Sequence, residues 1–132
     1  SFENVTAISF NVGLDSATNV SGILEDDLDP IHGMYWTWNS GYVNFKLEGT
    51  FSEKTNHVQP LEYHLGGYMS PFQTIQHVSF PVRSAGEINI AIDVADFLRA
   101  FNWKDEQNVT VTGKKAKQLS GFLPGIFKIV TP

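Results

Sequence analysis

The sequence predicts an all-β protein, an antiparallel β-sandwich with one or two short C-terminal helices. Three observations predict it. Several runs of four to nine residues alternate apolar with polar, the period of a strand that buries one face. Clusters of Gly, Asn, Asp, Ser and Pro separate these runs. Ten Phe stand against three Trp and four Tyr, and such rings suit the space between packed sheets.

The first strand is expected at "VTAISFNV", Val5 to Val12, with Thr6, Ile8, Phe10 and Val12 on one face. The stretch "GLDSATNVSGILEDDLDPIHG" then reads as a long loop. Loops of that length in a compact domain are functional or are ordered by their own contacts. "YWTWNSGYVNFKLEGTF" reads as one long strand, or as two joined by a kink at Asn39-Ser40-Gly41. Beyond the kink, Val43, Phe45 and Leu47 alternate with Asn44, Lys46 and Glu48. In "LEYHLGGYM", Leu61, Tyr63 and Leu65 share one face and Glu62 and His64 the other, before Gly66-Gly67 interrupts the run.

"TIQHVSFPV" is a strand whose Pro81 marks an edge, and "EINIAIDV" places Ile88, Ile90 and Ile92 on one face. Two helices follow. Asp93 is placed to cap "VADFLRAF", with Phe97 and Phe101 one turn apart. "TGKKAKQLSGFLPGIF" puts Ala116, Leu119 and Leu123 on one stripe and must stop or kink near Pro124.

A chain of 132 residues, 42% hydrophobic and 17% charged, suits one domain, 1–132, with a real core. The formal net charge is −5 and the only local basic cluster is Lys114, Lys115 and Lys117. Nucleic acid is therefore not an expected partner. No stretch has the apolar length of a membrane span. The absence of cysteine removes thiolate metal sites, disulfides and Cys nucleophiles together. The chain starts without Met, inside a strand, so the lack of a signal peptide says little. Sequons occur at Asn4, Asn19 and Asn108.

The stretch richest in chemistry is "HGMYWTWNSGY". If it is extended, His32, Met34, Trp36 and Trp38 share a face. Imidazole, thioether and an indole π face are the ligands a cuprous ion prefers. Two Trp and a Met on one strand face are equally the makings of a core, with His32 a surface residue at the strand start. His64 stands just before two glycines, which let another group come close, and Glu62 shares its face as ligand, orienting carboxylate or solvated charge. His57 and His77 have weaker surroundings. Glu25, Asp26, Asp27 and Asp29 supply oxygens of the kind calcium takes, but without the EF-hand spacing. No nucleophile elbow, HExxH, P-loop or dinucleotide fingerprint occurs, and the expectation is that this is not an enzyme.

Taken together, "VGLDSATNVSG", "LDPIHGMYWTWNSGYVNFKLEG" and "YHLGGY" resemble the MbnP-like family, copper-associated proteins found beside methanobactin genes. The closing "GKKAKQLSGFLPGIFKI" looks like the C-terminal helix of its Bacteroidetes-type branch. The resemblance implies an exported, copper-linked β protein, periplasmic or extracellular and in some members anchored at the outer membrane. It also implies N-terminal strands preceding the segment that opens here. Some family members bind copper through histidines and a Trp oxidised to kynurenine. His64 matches the family's His-Leu/Ile-Gly position, and Trp36 and Trp38 match its Trp-x-Trp motif.

The expected function is copper binding for storage, scavenging or delivery. His64 is the first candidate ligand, His32 the second, Trp36 or Trp38 the π-face or oxidised partner, and Met34 and Met69 soft alternatives. The competing expectation is a non-metal extracellular binding or interaction module whose aromatic face stacks on a sugar or partner. A third is a structural domain that completes its sheet by strand pairing in a homodimer.

Overall fold

In a computed structural model, residues 5–53, 57–84 and 86–130 are described. The sequon at Asn4 lies outside them. Strand β1 (Val5–Val12) pairs antiparallel with β5 (Gln76–Ser84) in a two-stranded sheet. A second sheet runs in the order β2 (Tyr35–Thr37), β3 (Gly41–Ser52), β4 (Val58–Gly66), β7 (Asn108–Val109). Its first three strands are antiparallel and β7 joins β4 in parallel. A third, two-stranded sheet joins β6 (Asn89–Ile92) to β8 (Phe127–Val130). Helices α1 (Ser16–Val20), α2 (Val94–Arg99) and α3 (Lys114–Ser120) are short. The architecture is the mainly β, sandwich-like one expected, with two helices in its C-terminal third.

The core sits on one face of β4. Leu61, Tyr63 and Leu65 are buried there against Phe97 of α2, Ala116 and Leu119 of α3, and Leu123 and Ile126 beyond it. Phe97 is the centre of an aromatic cluster, 5.2 Å from Phe45, 5.5 Å from Tyr63 and 5.2 Å from Phe101. Asp93 caps α2 by accepting the Asp96 amide at 3.1 Å. Because this face of β4 is filled, the alternate residues Glu62, His64 and Gly66 belong to the opposite face.

Four sequence expectations change. First, the stretch after β1 contains α1, capped by Asp15, and two 3₁₀ turns at Asp26–Leu28 and Pro30–His32. Its anchor is Asn19, whose side chain is buried. The amide donates to the Leu14 and Asp15 carbonyls at 3.2 and 2.9 Å, and its oxygen accepts the Tyr42 N–H at 2.8 Å. A side chain so enclosed leaves no room for a glycan.

Second, the aromatic stretch is neither one strand nor a kinked one. It is a hairpin, with Trp38–Ser40 turning β2 back onto β3. Gly41 supplies the left-handed backbone the turn requires, φ +73°. Third, the strand expected over "EINIAIDV" shortens to the four residues of β6, and Ile90 and Ile92 are exposed on it. Fourth, the C-terminal helix stops at Ser120, a 3₁₀ turn holds Pro124, and Phe127 begins β8. Phe127 lies 5.2 Å edge-on to Phe10 of β1, packing these two sheets together.

Candidate functional site

The outward face of β3–β4 carries the polar phase of two strands. Register places Lys46 opposite His64 and Glu48 opposite Glu62. These four groups are not independent. His64 Nε2 lies 2.7 Å from Glu48 Oε1, and Lys46 Nζ lies 3.5 Å from the same oxygen. The bond to His64 and, more weakly, the Lys46 ammonium hold the Glu48 carboxyl below its ordinary range. Glu62 is turned away to accept from the Asn108 side-chain amide at 3.0 Å. The imidazole is only 19% exposed. With Nε2 committed to a carboxylate, Nδ1 is the nitrogen left to act as a ligand, and a carboxylate so placed fixes the orientation of the ring.

Gly66, two residues beyond His64 on the same face, explains the double glycine. A Cβ there would stand 2.8 Å from Trp36 Cζ3 and 2.7 Å from the Tyr42 carbonyl oxygen. The glycine thus lets the Trp36 ring come down onto β4 at Gly66. Met34, one alternation before Trp36, accepts the Val43 amide on its carbonyl at 2.8 Å and is half-buried. The Gly33 carbonyl accepts from Lys46 Nζ at 3.4 Å, which brings the turn carrying His32 to the margin of this surface.

His32, Met34, Trp36 and Trp38 therefore do not form one line. Met34 precedes β2, and the pairing of β2 with β3 shifts register between Tyr35 and Thr37, across Trp36. His32 sits in a 3₁₀ turn, exposed, with Nε2 3.2 Å from the Asp26 carbonyl oxygen. Trp38 leaves the strand for the hairpin turn, 80% exposed. Its carbonyl accepts from the Tyr68 hydroxyl at 3.3 Å. Beside it, Asn39, Ser40, Tyr68, Met69, Phe72 and Thr112 are among the residues lining a cleft of about 210 Å³ in which no charged side chain takes part. His57 is exposed ahead of β4, and His77 meets Asn11 on the β1–β5 sheet at 3.1 Å.

Two partners of His64 escaped the sequence reading, Glu48 and Lys46. Both were visible as the polar phase of "NFKLEG", but only the pairing register puts them beside His64 rather than beside another residue of β4. Glu62, the sequence candidate for orienting His64, serves Asn108 instead.

The donor set decides what kind of ion this face suits. Among the described residues no group of three His, Asp or Glu is arranged to hold a metal. A hard or divalent ion wants such a cage. His64 Nδ1 offers an imidazole nitrogen and Trp36, packed over Gly66 two residues further along β4, an indole, both donors of the kind a cuprous ion prefers.

The MbnP family model matches residues 2–115. The chain belongs to the MbnP family. The matched span of this MbnP chain runs from β1 into the start of α3 and so includes every residue of the outward face, together with Trp38. No curated protein and no solved structure matches the chain. Membership links this MbnP protein to the copper-related business of its family, and no helix of the described residues is long and apolar enough to cross a membrane.

Proposed function

We propose that this MbnP protein is an exported copper binder, working in the periplasm or outside the cell in storage, scavenging or delivery. One observation carries the reading. His64 is held by Glu48 with Nδ1 left over, one step along β4 from the glycine on which Trp36 lies. A cuprous ion would take His64 Nδ1 as its imidazole ligand and the Trp36 ring as its soft neighbour. The polar groups on this face are tied to one another, an arrangement that favours holding an ion over turning over a substrate.

The test is a titration of the metal-free protein with Cu(I) under anaerobic conditions against a competing chelator, read by Trp fluorescence. Stoichiometric quenching that His64→Ala abolishes is the expected result. A folded wild-type protein that leaves Cu(I) with the chelator overturns the reading.

A second reading has its own observation. Trp38, Met69 and Phe72 are exposed around the uncharged cleft, as befits a non-metal binding module that stacks a neutral ring on its aromatic rim. Loss of binding to a neutral glycan array on Trp38→Ala, with Cu(I) ignored by the wild type, would favour it.

A further inference from the structure

Two clefts adjoin at Thr112, which lines both. One is the uncharged cleft beside the hairpin turn. The other, about 340 Å³, follows β7 and the segment after it into the first turn of α3, from Asn108 to Ala116. Trp38, Met69, Phe72 and Val111 are exposed on or beside them, Val111 by 71%.

One wall of the second cleft is a strand edge. β7 is the last strand of its sheet, and only one of its edges meets β4. The Glu62 amide donates to the Gln107 carbonyl at 2.9 Å. In a parallel ladder Val109 is then the next residue bonded to β4, and the backbone groups of Asn108 point the other way. Beyond β7, the backbone of Thr110, Val111 and Thr112 bonds to no other backbone group among the described residues. Such an edge is a template for another strand.

The other wall is basic. The chain has fourteen Asp and Glu against nine Lys and Arg, yet no carboxylate lines either cleft, and Lys114 and Lys115 line the second. Lys115 is engaged by Glu106 and Gln118, and nearby Lys117 by the Pro71 carbonyl. Lys114 is exposed and has no partner among the described residues.

We infer that this groove takes an extended, acidic peptide segment of a partner protein. The peptide backbone adds alongside β7, its apolar side chains rest against Val111 and Phe72, and a carboxylate pairs with Lys114. The inference goes beyond the proposed copper function and needs no metal; the uncharged cleft becomes one half of a peptide groove. A concave site with a free strand edge favours a peptide over a membrane, which needs an apolar face that can sink into it.

The test is fluorescence anisotropy of the whole chain with short labelled peptides that alternate Val or Phe with Glu, with Gln or with Lys. The Glu series should bind, the Gln series more weakly and the Lys series not at all, and the differences should narrow as salt rises. Lys114→Glu should weaken the Glu series by roughly tenfold or more. Lys104→Glu makes the same charge change at a residue that lines neither cleft, and it should weaken binding far less. Val111→Asp should abolish binding; Val111 and Lys114 are exposed, so neither replacement disturbs the core. A folded wild type that ignores the Glu series overturns the inference. So does equal binding of the Gln series, or binding that Lys114→Glu leaves unchanged. Capture of phosphatidylglycerol vesicles through Lys114, with every peptide ignored, makes the partner a membrane and overturns it too. The Cu(I) titration decides the copper reading separately.

Discussion

His64 and Glu48 meet diagonally across β3 and β4, Nε2 to Oε1 at 2.7 Å, although neither is the other's register partner. The register partners are Lys46 for His64 and Glu62 for Glu48. Two like charges directly opposite on a sheet are unfavourable. The diagonal bond relieves that conflict, because Glu48 leans toward the imidazole while Glu62 leans toward Asn108. The same movement commits Nε2 and frees Nδ1, so a sheet-surface electrostatic compromise also prepares a ligand.

Replacing Glu48 by Gln should therefore weaken Cu(I) binding without unfolding the protein. Losing a carboxylate behind a ligating imidazole commonly costs about 10–100-fold in metal affinity. Chelator competition on Glu48→Gln checks this, with circular dichroism as the folding control. An affinity equal to wild type would mean that Nδ1 is not the ligand.

The pH dependence of stability follows from four carboxylates. Asp15 is held below its ordinary range by its backbone and side-chain hydrogen bonds with Thr18. Glu48 is held below its ordinary range by His64. Asp93 and Asp96 are held below theirs first by Lys128, with the Asp96 amide and Arg99 adding to it. In each case the unfolded chain takes up the proton at higher pH than the folded one. Stability from these groups is thus complete above the ordinary carboxylate range and is lost as pH falls through it. Melting temperatures should drop on acidification below about pH 4. The drop should be shallower in Asp96→Asn, which removes the carboxylate bonded to both Arg99 and Lys128.

Gly66→Ala should damage the fold and the proposed site together. The added methyl meets a backbone oxygen at 2.7 Å as well as the Trp36 ring at 2.8 Å, and only the ring can move. Overpacking of this kind costs typically about 1–3 kcal/mol. Denaturant unfolding reads the loss, and a shifted Trp emission in the folded variant reads displacement of Trp36. Unchanged emission would mean that Trp36 is not what Gly66 accommodates.

Much of this was legible in the residues. The alternation of Leu61, Tyr63 and Leu65 marks the core face, and His64 falls on the other side of it by parity alone. Asp93 announces its helix by position. What was not legible depended on contacts distant in sequence. Trp36 and Trp38 look alike as a Trp-x-Trp pair, yet one is half-buried and the other lies in a turn, because Asn39-Ser40-Gly41 reverses the chain rather than bending it. Asn19 looks like one more polar loop residue, and only Tyr42 and Leu14 make it an anchor. Ile90 and Ile92 have strong strand periodicity but no facing layer among the described residues, so periodicity marked a strand without marking a core. The stripe of Ala116, Leu119 and Leu123 marked the buried side of α3, but not that Phe127 beyond it would start a strand and pack edge-on against Phe10.

Tyr63 gives the last prediction. Its side chain is fully buried among Leu65, Phe97 and Phe101, and its hydroxyl has no hydrogen-bond partner among the described residues. Burial, assisted by the negative charge of Glu106, pushes the phenol up to about 12. An unpartnered buried hydroxyl is a burden rather than an anchor. Tyr63→Phe keeps the ring and its edge-on packing and should be neutral or stabilising by about 1 kcal/mol near pH 7. The variant should part further from wild type in alkali. The unfolded chain releases the Tyr63 proton near pH 10 whereas the folded chain keeps it to about 12. Folded wild type therefore binds more protons across that interval and loses stability as pH rises, by a total on the order of 2 kcal/mol, and Tyr63→Phe does not. Urea unfolding at pH 7 and pH 11 measures both terms. A Phe variant markedly less stable than wild type at pH 7 would show that the hydroxyl has a partner after all, with Glu106 the first to test.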